Sequence, residues 1–192
     1  IERPVHKVYL REFRISRFEV SNLKFEIFQP NHTRSVSSPC DQCPVTMVNW
    51  FEASSYCKNK NGRLPSEAEW EKAARGPAEY RYSFGENPDQ SKSNFGHEFQ
   101  VGVKAVNSFQ PNGFGLYNMS GNVWEWVDDW FSFYAKDKKK TRKEGMVFTE
   151  KILRGGSWYN TAYYINVGMR FKINPDIKLN SIGFRCAWDV QQ

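Results

Sequence analysis

The sequence predicts a single α+β domain in which long ordered loops outweigh two helices and a set of short antiparallel strands. Three observations predict it. Its 192 residues suit one domain spanning 1–192, since about 150 residues per domain is the usual guide. Two stretches, 49–62 and 66–76, carry helix start and stop signals around an apolar face. Residues 77–122 are dense in Gly, Pro, Asn, Asp and Ser, yet Tyr80, Tyr82, Phe84, Phe95, Phe99, Phe109 and Phe114 recur through them. Such loops are expected to pack rather than to link.

From Val5 to Phe28 the residues alternate, with Val8, Leu10, Phe13, Ile15 and Phe18 among charged neighbours, the pattern of one or two amphipathic strands. Glu19-Val20-Ser21-Asn22 then opens a short helix through Phe28, which Pro30 ends. Asn31 to Cys40 reads as a polar loop, and Asn31-His32-Thr33 matches the glycosylation acceptor, which matters only in a eukaryotic secreted protein. Asn49 is a good N-cap for a helix from Trp50 to about Asn61, with Trp50, Ala53, Tyr56 and Cys57 on one face and Gly62 at its stop. The second helix is signalled more strongly: Ser66 and Glu69 form a capping box after Pro65, Trp70, Ala73 and Ala74 make the apolar stripe, and Gly76 ends it. Short strands are expected over 122–130, 151–155, 166–171 and 183–188.

Aromatic residues make up 16% of the chain, which excludes disorder as its dominant state. No apolar run approaches the ~18 residues of a membrane span. The net charge of +6 is concentrated: Lys136, Lys138, Lys139, Lys140, Arg142 and Lys143 face only Asp137, and the rest of the chain is close to neutral. One basic run lacks the continuous face that phosphate tracking needs, so no nucleic-acid partner is expected. Cys40 and Cys43 form a CxxC whose residue types suit a redox pair, half a zinc site or a small disulfide loop. His6, His32 and His97 are too scattered to complete a familiar zinc spacing. Pro44 and the apolar run after Cys43 do not resemble a thioredoxin-type helix start, which favours the loop disulfide. The chain begins at Ile1 with no initiating Met and no signal core, as expected of a mature or trimmed form.

Several strings coincide in order: Val48-Asn49-Trp50, Gly62-Arg63-Leu64-Pro65-Ser66-Glu67-Ala68-Glu69-Trp70-Glu71, Ala73-Ala74-Arg75-Gly76, Pro111-Asn112-Gly113-Phe114-Gly115-Leu116-Tyr117-Asn118, Gly121-Asn122-Val123-Trp124-Glu125-Trp126, Arg154-Gly155-Gly156-Ser157-Trp158 and Gly183-Phe184-Arg185-Cys186-Ala187. Together they closely resemble the formylglycine-generating enzyme family, the sulfatase-modifying-factor domain, from about Pro4 to Asp189. The resemblance implies a C-type-lectin-like variant fold with bound calcium. It also implies a disulfide between Cys57 and Cys186, which leaves Cys40 and Cys43 to pair. Asn118, Gly121, Val123 and Glu125 match the family's calcium loop, and side-chain and carbonyl oxygens on a tightly turning chain are what Ca²⁺ requires. A second calcium site would use Asn94 and the carbonyl of Phe95, with Glu98 as the nearest acidic candidate.

The resemblance also identifies what is absent. Active members hold copper(I) on two cysteines shortly after Gly-Gly-Ser, soft thiolates being what copper(I) selects. On this chain those places hold Asn160 and Ile165, and no Cys occurs between Arg154 and Arg185, so no copper is expected. Three active-site neighbours of the family remain in type, Ser157, Trp124 and Arg170, and would be the catalytic set if the chain were an enzyme. Each also has a structural reading, for Gly155-Gly156-Ser157 as a turn, for Trp124 as core beside Trp126, for Arg170 as a pair with Asp176. The expected function is therefore a non-catalytic, extracytoplasmic binding domain, of the kind found in bacterial surface, periplasmic and lipoprotein modules. Its ligand face is expected between Trp158 and Lys172, formed by Trp158, Tyr159, Asn160, Tyr163, Tyr164, Met169 and Arg170. In retroelement-diversified relatives this stretch is the variable face. Rings and amides in such a mixture suit recognition, and the sequence leaves the ligand, protein or small molecule, and the oligomeric state open. The alternative is a family enzyme with altered chemistry, formylglycine-generating or of the pyoverdine-maturation type.

Overall fold

Reciprocal capping boxes start both longer helices. In α2 (Trp50–Asn59) the Asn49 side chain accepts from Glu52 N at 2.9 Å, and Glu52 accepts from Asn49 N at 3.0 Å. In α3 (Glu67–Arg75) Ser66 Oγ accepts from Glu69 N at 3.3 Å while Glu69 accepts from Ser66 N at 2.7 Å, and Gly76 in the left-handed region stops the helix. Each box satisfies two backbone donors that the first turn would otherwise leave unpaired. The computed structural model describes residues 7–98, 101–133 and 149–190. The basic run at 136–143, together with Val5 and Phe99, lies outside the described residues.

In chain order the elements are β1 (Phe13–Ile15), α1 (Asn22–Phe28), α2, α3, β2 (Trp124–Trp130), β3 (Lys151–Arg154), β4 (Arg170–Ile173), β5 (Ile182–Phe184) and β6 (Ala187–Asp189). The architecture is α+β and loop-rich. A four-stranded sheet has the order β4-β3-β2-β5, and a separate pair joins β1 to β6. The expectation of antiparallel strands needs one correction, because β2 and β5 are parallel, with Glu125 opposite Gly183. Since β4 and β5 run the same way on opposite edges, residues 174–181 must carry the chain back across the sheet before β5 starts.

Other boundaries differ for local reasons. The expected strand at 166–171 begins only at Arg170, because turns hold 166–169, with Asn166 Oδ1 accepting from Gly168 N. The stretch 183–188 divides between two sheets, β5 and β6, rather than forming one strand. Of the amphipathic N-terminal pattern only Phe13–Ile15 is a strand, since only these residues find a partner, in β6.

The main core gathers Phe25, Val48, Tyr56, Trp126, Leu153 and Phe184 between α1, α2 and the sheet. A second cluster seats Trp70, Ala73 and Ala74 of α3 against Leu116, Met119, Val127 and Ile152. Lys151 ends up between two indoles, with Nζ 3.9 Å from the Trp50 ring centroid and 4.1 Å from that of Trp130. Burial pulls its ammonium below the usual lysine value, against the opposing charges of Asp128 and Asp129. Both disulfides, Cys57 to Cys186 and Cys40 to Cys43, are formed and account for all four cysteines. Among the described residues no helix is long and apolar enough to cross a membrane.

Candidate functional site

All four strands of the main sheet contribute to one pocket of about 220 Å³: Trp124 of β2, Leu153 of β3, Phe171 of β4 and Ile182 of β5. The remaining wall comes from two loops, with Tyr159, Asn160 and Tyr164 after β3 and Leu179 and Ser181 before β5. Trp124 and Phe171 lie with ring centroids 5.5 Å apart. Among the described residues the lining holds no carboxylate, amine, guanidinium, imidazole or thiol. Its polar side chains are Tyr159, whose hydroxyl is 3.4 Å from Ser181 Oγ, with Ser181, Tyr164 and Asn160.

The loop after β3 is positioned by Gly155 and Gly156, both at positive φ. A Cβ on Gly156 would lie 2.7 Å from Ile165 Cγ2, so the turn needs glycine for space as well as for conformation. Asn160 is fixed by the turn it closes: its Oδ1 accepts from Ser157 N at 3.0 Å and Ser157 Oγ at 2.7 Å, and its carbonyl accepts from Gly96 N. Its Nδ2 donates to no partner among the described residues, and the residue lines the pocket. Ile165 is fully buried and packs with Tyr82 and Phe95.

Of the seven residues expected on the ligand face, Tyr159, Asn160 and Tyr164 line the pocket, and Tyr163 stands exposed beside Tyr164 with ring centroids 5.3 Å apart. Three lie inside instead. Trp158 is buried against Cys43, Val103 and Val123, because the turn at Asn160 reverses the chain just beyond it. Met169 belongs to the main core. Arg170 is buried in a bidentate pair with Glu67, at 2.6 and 2.9 Å, and its guanidinium faces the Phe131 ring. Glu67, not Asp176, is therefore its structural partner, and the guanidinium turns away from the pocket's lining. Of the catalytic set that an enzyme would use, Trp124 lines the pocket, Ser157 is buried and holds Asn160, and Arg170 is elsewhere. Leu153, Phe171, Leu179, Ser181 and Ile182 are pocket residues that the sequence did not point to, the last three because the path into β5 depends on its parallel pairing with β2.

The expected calcium loop forms a buried polar network. Asn118, Gly121 and Asn122 all take positive φ, and a Cβ on Gly121 would meet Asn94 O at 2.5 Å. Arg185 donates to both oxygens of Glu125 at 2.7 Å, and Trp70 Nε1 donates to Glu125 at 2.8 Å. Burial alone would pull the Arg185 guanidinium down, but the charge and hydrogen bonds of Glu125 hold it above its usual value. Glu19, a residue the sequence reading missed, completes the network by accepting from Asn118 Nδ2 at 2.9 Å and Asn122 Nδ2 at 2.8 Å. Desolvation pushes its carboxyl up to about 7, with Arg185 opposing and Glu125 adding to the rise. The only sequence signal was a carboxylate set between Phe18 and Val20.

Two buried carboxyl groups thus share one guanidinium, and with the neighbouring amide and carbonyl oxygens they are hard donors of the type a divalent cation takes. Among the described residues no three His, Cys, Asp or Glu gather into a ligand set, so amide and carbonyl oxygens of Asn118, Gly121 and Val123 would have to supply most ligands beside Glu125. At the second expected site Asn94 Oδ1 is buried without a hydrogen-bond partner, as a cation ligand would be. There the Phe95 carbonyl accepts from Gln90 Nε2 and Glu98 is exposed, so that set is less complete.

The sulfatase-modifying factor enzyme 1-like domain matches residues 1–190. The chain belongs to that family. It is 35% identical over 184 residues to the formylglycine-generating enzyme of Streptomyces coelicolor, covering 84% of this chain and 58% of that protein. It is 33% identical over 218 residues to the serine/threonine-protein kinase pkn1 of Chlamydia pneumoniae, covering 98% of this chain and 35% of the kinase. The chain thus spans less than two thirds of these relatives' length. Among solved structures, Treponema denticola variable protein 1 superposes with a TM-score of 0.77 at 24% identity, over 92% of this chain and 84% of that one. The fold of this sulfatase-modifying-factor domain is the C-type-lectin-like variant.

Proposed function

We propose that this domain is a non-catalytic binding module whose ligand enters the pocket between the loop after β3 and the loop before β5. One observation carries the reading. At the two places where active relatives are expected to hold copper, Asn160 is tied to Ser157 and Ile165 is sealed in core, while the pocket that Asn160 lines is walled by aromatic rings. Neither side chain offers a soft ligand to a metal or a thiol to a substrate. A binding role is supported by the likeness to a Treponema variable protein and by the occurrence of the domain within longer chains named as kinases. The two disulfides support folding in an oxidising, extracytoplasmic compartment. The buried carboxyl groups of Glu19 and Glu125 support calcium as the structural cofactor.

An oxidation assay with copper(I) and a cysteine peptide tests the reading, and no turnover is expected. The second reading, an enzyme with altered chemistry, is favoured by 35% identity to a formylglycine-generating enzyme and by Trp124 in the pocket. Turnover abolished by Ser157→Ala would establish it and remove the binding-module reading.

A further inference from the structure

We infer that the pocket takes one neutral aromatic side chain, tyrosine by preference, presented by a protein partner, an inference that rests on the binding-module reading. Size comes first. At about 220 Å³ the pocket falls below the ~300–1,000 Å³ of small-molecule and cofactor sites, and is on the scale of a single ring-bearing side chain. Charge comes next. A phosphate, carboxylate or ammonium group entering a lining whose described residues hold no opposite charge would lose its hydration without compensation.

The walls then select among neutral groups. Trp124, Phe171 and Tyr164 present ring surfaces, which favour a planar partner by offset or edge-to-face contact. The wall also carries a polar end. Ser181 Oγ stands 3.4 Å from Tyr159 OH, and a serine hydroxyl keeps capacity to donate to or accept from an incoming hydroxyl. Asn160 Nδ2 adds a donor. A phenol oxygen can accept from Asn160 Nδ2 and bond to Ser181 Oγ, whereas a phenyl or isobutyl group would desolvate the Asn160 donor without replacing its water.

The rim argues for a protein rather than a free small molecule. Tyr163 is 62% exposed, Tyr164 38%, Phe171 44% and Leu179 39%. A ligand confined to the pocket would leave these side chains in water. A partner surface around a tyrosine anchor would cover them, the arrangement in which a central aromatic carries the energy and surrounding contacts exclude water.

The test follows the ¹⁵N-indole resonance of Trp124 in the oxidised full chain while probes are added. N-acetyl-tyrosinamide is expected to shift it saturably, N-acetyl-phenylalaninamide at least threefold more weakly, and the peptide acetyl-Leu-Tyr-Leu-amide at least tenfold more tightly than the tyrosine amide. Ser181→Ala should narrow the preference for tyrosine over phenylalanine, and Tyr164→Ala should remove the gain from the flanking leucines. Equal or tighter binding of the phenylalanine or leucine amide overturns the phenol, and no gain from the leucines overturns the protein partner. A shift by inorganic phosphate or acetate overturns the neutral class while leaving a ligand site in place. If no probe moves Trp124 although the spectrum is that of folded protein, both this inference and the binding reading of the pocket fall.

Discussion

Trp158 and Tyr163 stand five residues apart on one loop and meet opposite surroundings, the first buried and the second 62% exposed. Truncation should therefore separate them. Trp158→Ala is expected to cost about 3–5 kcal/mol, and Tyr163→Ala within about 0.5 kcal/mol, as read from urea unfolding. Composition cannot distinguish the two, because an aromatic serves equally as core and as contact surface, and only the reversal at Asn160 decides which way each points. Glu19 gives a second prediction. Its folded carboxyl titrates near 7 and its ordinary value is 4.5, so the folded chain keeps a proton that the unfolded chain has released. In EDTA, that contribution is full below about pH 4.5 and is lost as pH rises through 7, an effect on the order of 3 kcal/mol. His32 works the other way, since burial lowers its folded value and its contribution is lost as pH falls. Comparison with Glu19→Gln isolates the carboxyl: the fall in stability between pH 5 and 7 should be absent from the variant. An unchanged slope would mean that Glu19 remains ionised throughout.

The longer helices were legible because their signals are local. Asn49 with Glu52 and Ser66 with Glu69 need only three-residue spacing to form their boxes. Ser66→Ala should cost about 1 kcal/mol, measurable by thermal unfolding. Glu69→Ala should cost more than Ser66→Ala, because Glu69 also takes both forks of Arg63 at 2.7 Å. The strands were legible in existence but not in pairing. β5 is three residues long, and nothing in Ile182-Gly183-Phe184 says that it will lie parallel to β2. Pairing is decided by where 174–181 returns the chain, a non-local matter that alternation of apolar residues does not record. The pocket inherits this limit. Tyr159, Asn160 and Tyr164 were readable as one segment, whereas Leu179, Ser181 and Ile182 join them only through the fold.

For the molecule as a whole, the two disulfides and the proposed calcium are tested through stability. If calcium binds only the folded chain, EDTA should lower the melting temperature and calcium restore it, by about 2.7 kcal/mol at a hundredfold excess over Kd. An unchanged melting temperature would mean that Asn118 and Glu125 simply hold the loop by hydrogen bonds. The two disulfides should differ in access, since Cys40 is exposed whereas Cys57 and Cys186 are buried. Mild reductant followed by alkylation and mass mapping should label Cys40 and Cys43 first, and the reverse order would contradict the burial. Opening Cys57–Cys186 is expected to cost about 2–5 kcal/mol. The placement of that bond has a mechanical consequence. Phe13 pairs with Asp189 and Ile15 with Ala187, so tension applied at the two ends would peel β1 from β6 one rung at a time rather than shear them together. The peeling would then stop at a covalent barrier, because the bond joins residues 129 positions apart. Only about 60 residues could be drawn out, a contour of roughly 200 Å at ~3.4 Å per residue, Glu19 among them, while the sheet, the pocket and Glu125 would remain enclosed and bear no load.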